Sequence, residues 1–254
     1  AKFFWILLGI YGAILVSIPV GVIGLGEKLA SLLPREYQLS NMHLFFDFQD
    51  IWQNITFLLS YITYFFLNAL IIIFVAREFS LKTARQNVID GLSKSEFVWG
   101  KVIFVCFLAL MVTILVFLIA LISGAILSPS LPFHLMVETL DFIPVYFIHV
   151  LQSLSFGMFL AVLIRRPGIA VVVSFGYYWF DLLMSAIVKF PLDLPFLGSL
   201  FPVYSQLNLI PSPFLKFVMM KTETSPDPVS MLISIGWIIA HFAFCFWFVK
   251  KRNL

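Results

Sequence analysis

The chain is patterned as long apolar runs separated by short polar intervals. Six runs, residues 3–25, 51–76, 102–127, 142–163, 169–188 and 229–249, carry the apolar positions. About 20 apolar residues in a helix cover roughly 30 Å of hydrocarbon, and each run reaches that length. Five of the runs hold no Asp, Glu, Lys or Arg, and the run 169–188 holds Asp181. Strands of a membrane barrel alternate apolar and polar positions over about 10 residues; these runs do not alternate. The pattern predicts an all-α integral membrane protein with six transmembrane helices, forming a single transmembrane domain over residues 1–254.

Composition agrees with the pattern and narrows it. Hydrophobic residues make up 61% of the 254 residues and charged residues 11%, against roughly 45–50% and 25% in a soluble domain. A soluble fold of this length lacks the interior to hide that much apolar surface. Disordered and disulfide-rich secreted classes are excluded on the same ground. Cys106 and Cys245 both fall inside apolar runs and read as small core hydrophobes. The 30 Phe, 8 Tyr and 6 Trp read as lipid-facing mass and interface anchors, with Trp5, Trp99 and Trp247 near one boundary.

Charge sets the orientation. With the N-terminus inside, the inner intervals hold Lys2, Arg77, Lys82, Arg85, Lys94, Lys101, Arg165, Arg166, Lys250, Lys251 and Arg252, opposed by Glu78, Asp90 and Glu96. The outer intervals hold nine acids and five basic residues. Lys and Arg gather on the cytoplasmic side of membrane proteins, so both termini are expected in the cytoplasm. The formal charge of +3 is therefore a topology signal, and no nucleic-acid partner is expected. The first apolar run exceeds the 7–15 residues of a signal peptide, and no small-residue cleavage pattern follows it.

The intervals are unequal. Residues 77–101 contain a short polar, cationic stretch, Leu81 to Asp90, with Ser80 placed to cap it and Gly91 placed to end it. Ser93-Lys94-Ser95-Glu96 follows as a capping box, which predicts a second helix entering the third span. A helix of this kind either lies on anionic lipid headgroups or docks a cytoplasmic partner. The interval 164–168 is a tight hairpin containing Arg165 and Arg166. The interval 189–228 holds seven of the 13 prolines, yet residues 194–203 and 207–220 are apolar. Short apolar pieces broken by Pro read as an interfacial cover or as re-entrant segments.

These residues resemble a known family. Arg77-Glu78-Phe79, Thr83-Ala84-Arg85-Gln86, Asp90-Gly91-Leu92-Ser93, Glu96-Phe97 and Gly100-Lys101 are similar to the segment between the second and third spans of small bacterial ABC-2 type permeases, the membrane subunits of ABC transporters. Six spans, a tight second inner hairpin and an apolar outer interval before the last span match the same family. The resemblance implies an ABC-2 (type V exporter-like) permease fold with re-entrant extracellular segments in 189–228 acting as a gate. It implies that 77–101 carries a coupling helix, with Glu78, Lys82, Thr83, Arg85, Gln86, Asp90 and Gly91 meeting a separate ABC ATPase subunit. Arg165 and Arg166 would form a second cytoplasmic contact. The expected function is an exporter subunit in the bacterial inner membrane, paired with a second permease chain, bathed in membrane lipid and open to an extracytoplasmic accessory protein. Only Ala1 and Lys2 stand before the first run, where that family usually carries an amphipathic helix.

The chain's own chemistry is sparse. A P-loop wraps backbone amides round phosphate through G-x-x-x-x-G-K-[ST]. Gly100-Lys101 has Ser95 at the first glycine position and Val102 after the lysine. No catalytic residue, metal site or bound cofactor is expected; ATP and Mg would sit on the partner. Asp181, His149 and His241 lie inside spans, roughly 18, 21 and 12 Å from the inner ends at about 1.5 Å per residue. Intramembrane ionisable groups mark a functional candidate. They read either as structural polar contacts or as a relay. Two alternative functions therefore stand beside the permease: a proton-coupled secondary transporter using Asp181, and a membrane anchor or assembly factor that recruits a soluble partner.

Overall fold

All six apolar runs are helical in the computed structural model, which describes residues 2–32, 48, 50–128, 137, 139–213 and 225–251. They form α1 (Lys2–Leu32), α2 (Ile51–Ser80), α4 (Lys94–Leu127), α5 (Phe142–Ile164), α6 (Pro167–Lys189) and α9 (Pro228–Lys251), with short helices α3 (Thr83–Ile89), α7 (Pro195–Ser199) and α8 (Pro202–Leu207) between them. Six helices are long and apolar enough to cross a membrane, and no strand occurs among the described residues. The chain is a multi-pass membrane protein. The expected re-entrant stretch beyond Pro213, including Phe214, Leu215, Phe217 and Val218, lies outside the described residues, as do residues 33–47.

Helix ends follow local chemistry rather than the apolar limits. α4 starts at Lys94, ahead of its apolar run, because the capping box forms. The Ser93 amide donates to Glu96 Oε2 at 2.8 Å and the Glu96 amide donates to Ser93 Oγ at 3.2 Å. At the start of α9, Asp227 takes the amides of Val229 and Ser230, each at 3.1 Å, and the Ser230 hydroxyl at 2.6 Å. The Ser230 hydroxyl, and after it the capped amides, hold the Asp227 carboxyl below its usual range.

The described chain divides into two compact units. The first comprises residues 1–61, 112–146 and 210–226. Its core holds Trp52 stacked on Phe117, with ring centroids 5.3 Å apart. Phe48 lies against Gly124, where a Cβ would stand 2.7 Å from the ring. Gln53 donates to the Pro211 carbonyl at 3.0 Å.

The second unit comprises residues 62–111, 147–209 and 227–254. Asn68 of α2 donates to the Ser153 carbonyl on α5 at 3.3 Å and accepts from the Ser174 hydroxyl on α6 at 3.2 Å. Close approach at this node needs Gly157, because a Cβ there would meet Ile71 Cγ2 at 2.5 Å and Asn68 Oδ1 at 2.9 Å. Small residues at helix contacts and side-chain hydrogen bonds across helices are the usual means of packing apolar helices in lipid. The two short helices α7 and α8 each open on a proline, which suits a first-turn position lacking an amide partner. Both pack against α6, and α8 packs against α9.

Gly157→Val should overpack this node and destabilise the protein by about 1–3 kcal/mol, read as a lower Tm in detergent. Asp227→Ala should cost about 1 kcal/mol through the lost cap. Since the folded carboxyl titrates below its unfolded value of about 3.9, its contribution is present above that pH. It is lost as pH falls through the lower folded value. Thermal melts of wild type and Asp227→Ala should therefore converge as pH falls below the ordinary carboxylate range.

Candidate functional site

The segment between α2 and α4 is built entirely within the second unit. α2 runs through Ser80, so Ser80 does not cap the following helix as the sequence led us to expect. Its hydroxyl turns back to the Arg77 carbonyl at 3.2 Å, and Thr83 Oγ1 turns back to the Glu78 carbonyl at 3.0 Å. Both side chains serve carbonyls of the last turn of α2, of which the Arg77 carbonyl also accepts the Leu81 amide at 2.9 Å. The chain then turns through Lys82 at φ 61° and enters α3 without a side-chain cap. The other end behaves as its glycine predicts. Gly91, at φ 108°, allows the Gly91 amide to reach the Val88 carbonyl at 3.2 Å and the Leu92 amide to reach Asn87 at 3.0 Å. That pair of bonds is the Schellman ending.

The expected contact residues face two ways. Glu78 pairs with Lys101 across the ends of α2 and α4. The Lys101 ammonium also lies 5.0 Å from the Phe74 ring and 5.4 Å from the Phe97 ring. Ala84 is the buried residue of α3. Lys82, Thr83, Arg85, Gln86, Asp90 and Gly91 are exposed, in company with exposed Leu81 and Ile89. Gln86 and Asp90 bond to each other at 3.4 Å, one turn apart. The result is a short helix that buries Ala84 and leaves Lys82 and Arg85 open on its outer side.

Arg165 and Arg166 separate. Arg165 adopts φ 58° and lays its guanidinium over Phe79 at 5.1 Å and Phe248 at 5.8 Å. Arg166 is exposed and stands at the N-cap of α6. A contact surface can therefore use Arg166, while Arg165 is folded onto its own chain.

The intramembrane set is also divided. Asp181 is fully buried, and its Oδ1 accepts the Tyr204 amide at 3.0 Å. His149 Nδ1 lies 3.3 Å from the Gln206 carbonyl, and Gln206 Nε2 donates back to the His149 carbonyl at 2.8 Å. His241 Nδ1 lies 3.1 Å from Ser155 Oγ, with its ring stacked on Phe159 and Trp237. No hydrogen bond joins the three residues. Asp181 and His149 instead converge on α8, as does Gln152, which donates to the Pro202 carbonyl at 2.8 Å. Sequence reasoning missed α8 as the common partner. The available signal was His149 and Gln152, polar positions three apart on one face of an apolar helix.

Comparison with protein-family models, curated proteins and solved structures finds no match to the chain. Among the described residues, no group of three or more His, Cys, Asp or Glu is placed to hold a metal ion.

The double variant Lys82→Glu/Arg85→Glu changes exposed residues without hydrogen-bond partners beneath them. Its stability should stay within about 0.5 kcal/mol of wild type, read as an unchanged Tm. Lys101→Met, which leaves Glu78 without its ion pair, should lower Tm clearly in the same assay.

Proposed function

We propose that the chain is the permease subunit of an ATP-binding cassette exporter in a bacterial inner membrane, with both termini in the cytoplasm. The observation that carries this reading is α3: an exposed cationic helix whose two ends are tied to the ends of two spanning helices. A force applied to Lys82, Arg85 and their neighbours would reach α2 and α4 through the short turns at Lys82 and Gly91, and the Glu78–Lys101 pair ties the ends of those two helices together. A flexible loop would absorb that force.

In this reading the chain performs no catalysis. A partner ATPase holds ATP and Mg, and its closure pushes on α3. A second permease chain completes the path, α2 and α4 tilt as rigid bodies, and α7 and α8 serve the outer gate. The family resemblance in residues 77–101 and the concentration of Lys and Arg on one side of the spans support the same assignment.

The test is reconstitution in nanodiscs with an ATP-hydrolysing subunit. Lys82→Glu/Arg85→Glu should weaken ATPase association about tenfold or more, or uncouple its hydrolysis from the permease, while leaving Tm unchanged. Unaltered association and unaltered stimulation would remove α3 from the coupling role.

A further inference from the structure

The first turns of α4 and the last turn of α9 meet within the second unit, at the end of the spans where Lys and Arg gather. The Lys94 ammonium donates to the Lys250 carbonyl at 3.4 Å, and that carbonyl carbon is bonded to the nitrogen of Lys251. The Lys251 ammonium lies 5.0 Å from the centroid of the Trp247 ring. Trp99 packs edge-on against Phe246, the chain neighbour of Trp247, with centroids 5.1 Å apart. Three lysines and two indoles thus share one edge of the protein. Trp99 and Trp247 remain 55% and 53% exposed, and Lys250 and Lys251 are exposed beside them.

The protein does not balance the charge of this edge. Residues 94–101 contain one acid, Glu96, and residues 244–251 contain none. Glu96 accepts the Ser93 amide in the helix cap, Glu78 pairs with Lys101, and Asp90 bonds Gln86 on α3. The C-terminus of α9 supplies about half a negative charge. One carboxylate and half a charge do not offset three ammonium groups, so the edge keeps a positive surplus. Its position says what kind of anion can meet that surplus. Trp99 and Trp247 fall at the margins of the apolar runs, where indoles sit at the level of lipid headgroups. Ile103 and Phe107 follow Trp99 at four-residue spacing on α4 and are exposed as well, so an apolar strip leads from the lysines into the hydrocarbon.

We propose that the joined ends of α4 and α9 are a docking surface for an anionic phospholipid of the surrounding bilayer. Lys94, Lys250 and Lys251 meet its phosphodiester, and its glycerol and upper acyl chains lie along Trp99, Trp247 and the strip below Trp99. Charge complementarity selects the headgroup, and the apolar strip selects a lipid over a free phosphate. The surface shares no residue with α3, so it stands or falls separately from the ATPase reading.

The experiment is native mass spectrometry of the full chain in detergent, titrated with phosphatidylglycerol or with phosphatidylcholine of the same acyl chains. Wild type should retain phosphatidylglycerol at about tenfold lower lipid concentration than phosphatidylcholine, and excess inorganic phosphate should not displace it. Each lysine near the headgroup contributes about fivefold. Lys250→Gln/Lys251→Gln should therefore bring the two lipids to within about twofold of each other. That variant keeps the contact between the helices, because Lys94 bonds the backbone of residue 250 rather than its side chain. Lys82→Glu/Arg85→Glu should retain the wild-type preference. Equal retention of the two lipids by wild type overturns the proposal. So does a preference that survives Lys250→Gln/Lys251→Gln, or one lost in Lys82→Glu/Arg85→Glu instead, which would move the lipid to α3. Displacement by inorganic phosphate overturns the choice of a lipid.

Discussion

Inside hydrocarbon no water is at hand to bond an open amide or carbonyl, so each backbone group must find a partner within the protein. That constraint explains why the apolar runs are long helices. It also explains the polar residues buried in the second unit. Where the chain leaves regular helix between α6 and α9, its backbone is served by side chains from the surrounding spans. Ser185 bonds Gly198, Trp237 bonds Leu200, Gln152 bonds Pro202 and Asp181 bonds the Tyr204 amide. Each of these residues costs apolar burial in its own helix, and the cost is offset by a backbone group satisfied in α7, α8 or the turn joining them.

The segment from α2 to α4 solves a different problem. It is exposed to water, so its backbone needs no help from distant helices. Short-range devices close it: back-bonding by Ser80 and Thr83, the Schellman turn at Gly91, and the reciprocal Ser93–Glu96 cap. Because these devices use local groups, the outer side chains of α3 stay open. Rigidity comes from the Glu78–Lys101 pair, flanked by Phe74 and Phe97, where the aromatic rings reduce solvent screening of the charges.

Legibility in the sequence followed the range of each interaction. The six runs matched helices to within a few residues at most ends, because helix formation in lipid depends on a continuous apolar stretch. The Ser93–Glu96 box and Gly91 were readable because both partners lie within five residues. Ser80 misled: a serine before a polar helix can cap forward or bond backward, and the spacing is identical for both. That Glu78 also pairs with Lys101, 23 positions away, was not legible. Arg165 and Arg166 were indistinguishable neighbours until Phe79 and Phe248 took one of them.

The sequence by itself determined the solvent, the number of spanning helices and the place where positive charge gathers, because hydrophobicity and charge are properties of residues and sum along the chain. Tertiary structure decided which polar residues meet. Depth along a helix put Asp181 within reach of His149 or His241, but depth is one coordinate of three. Rotation and packing gave Asp181 to the Tyr204 amide, His149 to Gln206 and His241 to Ser155. Contacts of that kind depend on how helices turn toward one another, which no run of neighbouring residues encodes.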